Sequence, residues 1–170
     1  MLKMTIQDWK MRIDRQFEAG LFDIVKIGDK ITKEITNFEY CLVPKEIIDQ
    51  QEAPIEEEKQ EREFVIFSSN EMYFKYLIHD INSRRASFSN CYDGADNHCI
   101  SYFHHYIRNN RYCMNVYVRS MNYETNFIYD SQTFNLAYNK VFEQINKEHK
   151  EIQKGFIRVF VFSMHVYEKN

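Results

Sequence analysis

Cys99 and the pair Arg119-Ser120 are the residues whose types and spacing could do chemistry. A cysteine attacks only as its thiolate, a form that nearby cations and hydrogen-bond donors favour. An arginine beside a hydroxyl offers a forked, permanently charged grip on one anion such as a phosphate. A second basic group stands at Asn82-Ser83-Arg84-Arg85, directly after a helical stretch. Two adjacent arginines suit a phosphate as well, although cations are also favourable at a helix C-terminus. Taken singly, each group has a plain structural alternative: an inert buried thiol or a solvated basic surface. Their proximity in the fold decides between the two.

That proximity follows from the elements around them. Segments 99–107 (CISYFHHYI) and 112–119 (YCMNVYVR) flank Arg108-Asn109-Asn110-Arg111 and predict a β-hairpin. The start of one hairpin strand lies beside the end of the other, which brings Cys99 and Arg119 within reach. Residues 3–19 place Met4, Ile6, Trp9, Ile13 and Phe17 at helical spacing and predict a helix ending near Gly20. Residues 31–43 predict a strand, 64–69 (FVIFSS) a short buried strand, and 70–82 a helix capped by Asn70. A helix is expected over 131–150, capped by Ser131 or Thr133, with Phe134, Ala137, Tyr138, Val141 and Ile145 as its apolar face. A last strand is expected over 156–167, after Gly155. The Glu-rich stretch 49–63 predicts an exposed acidic loop. This mixed order predicts an α+β domain with one large sheet, a single domain over 1–170.

Composition narrows the function classes. Apolar residues make up 44% and charged residues 28%, so the chain is globular and can build a core. A net charge of −3 argues against a broad basic face for duplex nucleic acid, while leaving room for a local phosphate pocket. Only 4 glycines occur, and no Gly-rich phosphate loop is among them, so side chains must hold any phosphate. The cysteines Cys41, Cys91, Cys99 and Cys113 form no CxxC pair, which leaves no expected metal site. No signal peptide and no membrane span are expected, and the cytoplasm is the expected compartment.

Together these residues resemble the thymidylate synthase and deoxycytidylate hydroxymethylase family. In that family the nucleophilic cysteine precedes an Arg-Ser pair by twenty residues, the separation of Cys99 and Arg119. The segment SRRASFSN at 83–90 is similar to the family's Ser-Arg-Arg stretch, with Ser89 in the place of its later serine. His165-Val166-Tyr167, after FIRVFVFSM, is similar to its C-terminal His-x-Tyr. The resemblance covers 83–167 and implies one large twisted mixed sheet covered by helices, with a sheet face used for dimerisation. It implies that Cys99 adds to C6 of a pyrimidine nucleoside monophosphate and that C5 accepts one carbon from 5,10-methylenetetrahydrofolate. Arg119 and Ser120 would hold the 5′-phosphate, and His165 and Tyr167 the sugar hydroxyl. Arg84 and Arg85 would reach the phosphate of the partner in a homodimer. The base-reading position, eleven residues after the motif arginine, is Asp130, which favours cytosine. An alignment with five inserted residues puts Asn135 there and favours uracil, and Asp130 can also be read as a helix N-cap.

The chain departs from the family at the folate side. Met121-Asn122 stands where the family has a folate-contacting Asp, Asn126 replaces a glycine, and His98 replaces the proline before the cysteine. Glu46, Glu52 and Glu56–Glu58 all lie in ambiguous sequence, and none matches the family's general acid/base securely. With three residues after Tyr167, no segment that closes over a folate is expected. A nucleotide-binding or protein-interaction module without turnover is therefore the second reading.

Overall fold

The computed structural model describes residues 4–44, 71–89 and 99–168. Helix α1 (Ile6–Glu18) leads into strands β1 (Asp23–Ile27) and β2 (Lys30–Leu42). Helix α2 (Glu71–His79), strands β3 (Ser87–Ser89), β4 (Ile100–Arg108) and β5 (Arg111–Asn122), helix α3 (Tyr123–Glu148) and strand β6 (Gln153–Tyr167) follow. The described strands form one mixed sheet in the order β1-β2-β6-β5-β4-β3. Neighbours are antiparallel except β5 and β6, which run parallel because α3 carries the chain back between them. The expected acidic loop, the strand over 64–69 and the Asn70 cap lie outside the described residues.

Local chemistry sets the element ends. Thr5 and Asp8 form a reciprocal capping box that starts α1. Trp9 then anchors the helix to the sheet: its indole N–H donates to the Cys41 carbonyl at 2.8 Å, and its ring meets Phe38 and Tyr40. The β4–β5 hairpin turns on Asn109 and Asn110, both left-handed at φ 52° and 54°, as a tight two-residue turn requires. Asparagine tolerates that conformation better than most residues. The expected hairpin is present with its expected turn.

Two expectations are corrected. Helix α3 begins at Tyr123, because the Asn122 carboxamide oxygen accepts from the backbone N–H groups of Glu124 and Thr125. Ser131 and Thr133 are thus interior residues, and the Ser131 hydroxyl donates to the Phe127 carbonyl. Asp130 is likewise inside the helix and caps nothing. Strand β1 was not expected; it is a short, mostly exposed edge strand joined to β2 through Gly28 at φ 60°.

A change of pleat runs across three strands. Phe38, Val161 and Val118 are register partners and buried, and so are Ile35, Met164 and Met121. Between these rows the buried positions step by three residues instead of two, in β2, β6 and β5 alike. Asn37 sits at that level with φ 54°, a left-handed kink in a ladder whose pairing continues without an inserted residue. Beyond it, Glu34, Thr36, Ser163, His165, Ser120 and Asn122 occupy the side of the sheet opposite Ile35, Met164 and Met121. A patch of polar side chains results.

At the other end of the sheet, His105 is buried and its Nδ1 pairs with the Tyr112 hydroxyl at 2.7 Å. The Tyr138 hydroxyl donates to the Tyr112 carbonyl and accepts from the Gly155 N–H. A side chain at Gly155 would collide with the Tyr112 carbonyl, so this crossing of β5 and β6 needs glycine. Burial, and then the neighbouring His104, push the His105 imidazole down from 6.5 to about 3. The fold therefore holds His105 neutral where the unfolded chain would protonate it. Its contribution is complete above pH 6.5 and is lost as pH falls towards 3, at up to about 1.4 kcal/mol per pH unit. Urea unfolding between pH 7 and 5 should show this slope, and His105→Gln should flatten it. An unchanged slope in the variant would refute the assignment.

Candidate functional site

Cys99 lies immediately before β4, where the β4–β5 register shifts by one residue between Ile100 and Tyr102. Its carbonyl accepts from the Arg119 N–H at 2.7 Å, so Cys99 and Arg119 are backbone neighbours on adjacent strands. Cys99 is half-buried and Arg119 exposed. The Ser120 hydroxyl, on the next residue of β5, meets His165 Nδ1 at 3.2 Å across the β5–β6 pair. The His165 ring meets Tyr167 edge-on at 5.2 Å, and Lys30 lies over the opposite partner, the Tyr167 ring, at 5.2 Å. A cavity of about 330 Å³ opens beside Tyr167, lined by Asp29, Lys30, Ile31 and Glu168. It sits at the β1–β2 turn, not over Cys99.

The structure thus places Cys99, Arg119, Ser120, His165 and Tyr167 at one end of the sheet, with Cys99 packed against the hydrophobic core and Ser120 and His165 on the polar side. Arg84 and Arg85 are elsewhere. Both are exposed between α2 and β3, where the Arg85 N–H donates to the Ser83 hydroxyl and the Ala86 carbonyl accepts from His105. His105 is six residues along β4 from Cys99, roughly 20 Å at the usual rise of a strand. Within one chain these arginines do not join the patch.

Asp130 is buried on α3 and close to Tyr40. Burial pushes the Tyr40 phenol up, the Ser131 hydroxyl partly opposes this, and the Asp130 charge adds to the rise. Asn135 lies a turn and a half farther from the Asn122 cap, and its carboxamide oxygen accepts from Asn139 at 3.2 Å. Asp130 is the nearer of the two to the end of β5. Among the described residues no group of His, Cys, Asp and Glu is placed to hold a metal ion. No helix among them is long and apolar enough to cross a membrane.

No protein family matches the sequence, and no curated protein matches it either. Among solved structures the chain is similar to the crystal structure of thymidylate synthase from T4 phage, with a TM-score of 0.51. Identity is 16%, over 58% of this chain and 34% of that one. The fold is thymidylate synthase-like. The likeness spans about a third of that protein's length and is one of fold alone.

Three polar residues of the patch escaped the sequence reading. Glu34 is buried in β2, and its carboxylate accepts from the hydroxyls of Thr32 at 2.9 Å and Ser163 at 2.8 Å. Their signal was polar alternation at 32, 34 and 36 and at 163 and 165, but only the β2–β6 register links the two sets.

The thiols differ in their surroundings. Burial pushes Cys41 up, partly offset by Arg158, and burial pushes Cys113 up as well. A raised thiol holds less thiolate at neutral pH and alkylates slowly. Iodoacetamide at pH 7.5, followed by peptide mapping, should therefore modify Cys41 and Cys113 much more slowly in the folded chain than in urea. Labelling of Cys113 at the same rate in both states would contradict this protection.

Proposed function

We propose that the patch binds a pyrimidine nucleoside monophosphate, with Arg119 and Ser120 on the 5′-phosphate and His165 and Tyr167 on the sugar. The observation that carries this reading is the Arg119-to-Cys99 backbone hydrogen bond, which sets beside each other the two residues that in this reading grip the phosphate and attack the ring. The thymidylate synthase-like fold supports it. Cys99 adds as thiolate to C6 of the ring, and C5 becomes a carbon nucleophile. The resemblance makes Asp130 the base-reading residue, which would accept from the exocyclic amine of cytosine and favour deoxycytidylate and C5 hydroxymethylation. Asp130 is, however, buried against Tyr40 on the helix side of the sheet, and the ligand's base would have to pass the end of β5 to meet it.

The one-carbon source in this reading, 5,10-methylenetetrahydrofolate, supplies a carbon at the oxidation level of formaldehyde. The described residues do not fit its binding after the Arg-Ser pair. Met121 is wholly buried there, and the Asn122 carboxamide is spent on capping α3. That observation favours the second reading, a nucleotide-binding module without turnover. Release of tritium from 5-tritiated dCMP and dUMP, with methylenetetrahydrofolate present, separates the two. The enzyme reading expects release that Cys99→Ser abolishes and a shift from dCMP towards dUMP in Asp130→Asn, by about tenfold for one exchanged hydrogen bond. Nucleotide binding without any release would leave the module.

The partner we propose is a second copy of this chain. On the sheet side away from the helices, Tyr117 stacks on Phe160 at 4.8 Å and packs against Tyr102, beside the Arg158–Glu39 ion pair. By the resemblance, Arg84 and Arg85 of that second copy would serve the phosphate, a role compatible with their distance from Cys99 within one chain. Sedimentation equilibrium should give a dimer for the wild type and a monomer for Phe160→Glu. A monomeric wild type rules the arrangement out.

A further inference from the structure

Ser163 and Glu34 belong to no role assigned above, yet they lie in the patch. Ser163 is the register partner of Ser120 on β5, and Glu34 is the register partner of His165 on β6. The Ser163 hydroxyl donates to Glu34 Oε2 at 2.8 Å, and Thr32 donates to Oε1 at 2.9 Å. Among the described residues no lysine or arginine pairs with this buried carboxylate. The arrangement fixes a direction. A carboxylate whose two oxygens both accept has no proton to give back, so the single proton of Ser163 stays committed to Glu34. A hydroxyl has one donor and two lone pairs, and what remains to Ser163 is acceptance alone.

An obligate acceptor discriminates between the two ends of a nucleotide. It cannot serve a phosphate oxygen, which also only accepts, and it suits an O–H donor. We propose that Ser163, held as an acceptor by Glu34, receives a hydrogen bond from a hydroxyl of the ligand's sugar. Successive side chains on one strand face lie roughly 7 Å apart, so one sugar touching His165 and Ser120 is within reach of Ser163. This assignment rests on the nucleotide reading of the patch and adds its selectivity: ligands with a free 3′-hydroxyl over those without. Glu34 is a positioning residue, acting through Ser163.

Calorimetric titration of the full chain with dCMP and with 2′,3′-dideoxycytidine 5′-monophosphate tests it. The wild type should prefer dCMP by about tenfold, since a half-buried acceptor that the ligand covers without pairing is costly. Ser163→Ala should lower that ratio several-fold, leaving the part that His165 and Tyr167 supply, while Ser163→Thr restores it. Glu34→Gln, whose amide can donate to Ser163 and free the serine proton, should also shrink the ratio. Competition by inorganic phosphate should stay as in the wild type for all three variants, because the Arg119 end is untouched. A loss of fold would lower both affinities and the phosphate competition together and would not change the ratio alone. If the wild type binds dCMP and Ser163→Ala keeps the wild-type ratio, the Ser163 assignment is wrong and the nucleotide reading stands. If the wild type binds neither nucleotide, both fall.

Discussion

Asn37 holds a left-handed backbone in the middle of β2, and the polar patch depends on what this does to the neighbouring strands. Without the kink, strict alternation would carry the buried row from Phe38 to Thr36 and Glu34. It would then place hydroxyls and a carboxylate in the apolar layer, a cost of order 1–3 kcal/mol for each unsatisfied group. With it, Ile35 takes the buried position, and Met164 and Met121 follow on β6 and β5. Glu34, Ser163, His165 and Ser120 are thereby turned to one side, where they satisfy each other. The kink serves the core and the site at once. Neither could be had from straight strands with this sequence.

The hairpin that carries Cys99 and Arg119 was legible because its signals are local. A two-residue Asn-Asn turn fixes the pairing Arg108 with Arg111, and the ladder then matches residues whose numbers sum to a constant as far as Tyr102 and Tyr117. One register shift near Ile100 sets Cys99 against Arg119. The twenty-residue spacing that suggested a motif is thus the length of this hairpin less one bulged residue. It is good evidence for proximity and weaker evidence for chemistry, which must come from Ser120 and His165 on the next strand. Those two meet because β5 and β6 run parallel through α3, a pairing of distant segments that no local pattern discloses.

The start of α3 was misread for a related reason. Glu124, Thr125 and Asn126 have the look of a polar connection, and Ser131 has the look of a cap. The decisive contact is the Asn122 side chain on the first turn, and the same residue ends β5. Strand and helix share it, so there is no loop to detect. Glu34 was invisible differently: a glutamate in an alternating strand is ordinarily on the solvated side. Its burial depends on β6 supplying Ser163 across the ladder.

The placement of charge gives the patch a direction. Arg119 is its cation, level with Asn37 through Phe162, and Glu34 lies three residues farther along β2 on the other side of β6. Three residues span about 10 Å along a strand, with two inter-strand spacings of about 4.8 Å to cross as well. Between these two groups an anion is drawn towards Arg119 and repelled from Glu34, while Lys30, over the Tyr167 ring, lies farther out at the β1–β2 turn. A ligand with a phosphate at one end and hydroxyls at the other is therefore oriented by long-range charge before any contact forms. Phosphate meets Arg119, and the hydroxyl end meets the side chains that Glu34 has made into acceptors. A neutral residue at position 34 would leave the same hydrogen-bond partners within reach but would remove this bias. The Glu34 carboxylate, which no cation among the described residues pairs with, is thus part of how the site tells one end of its ligand from the other.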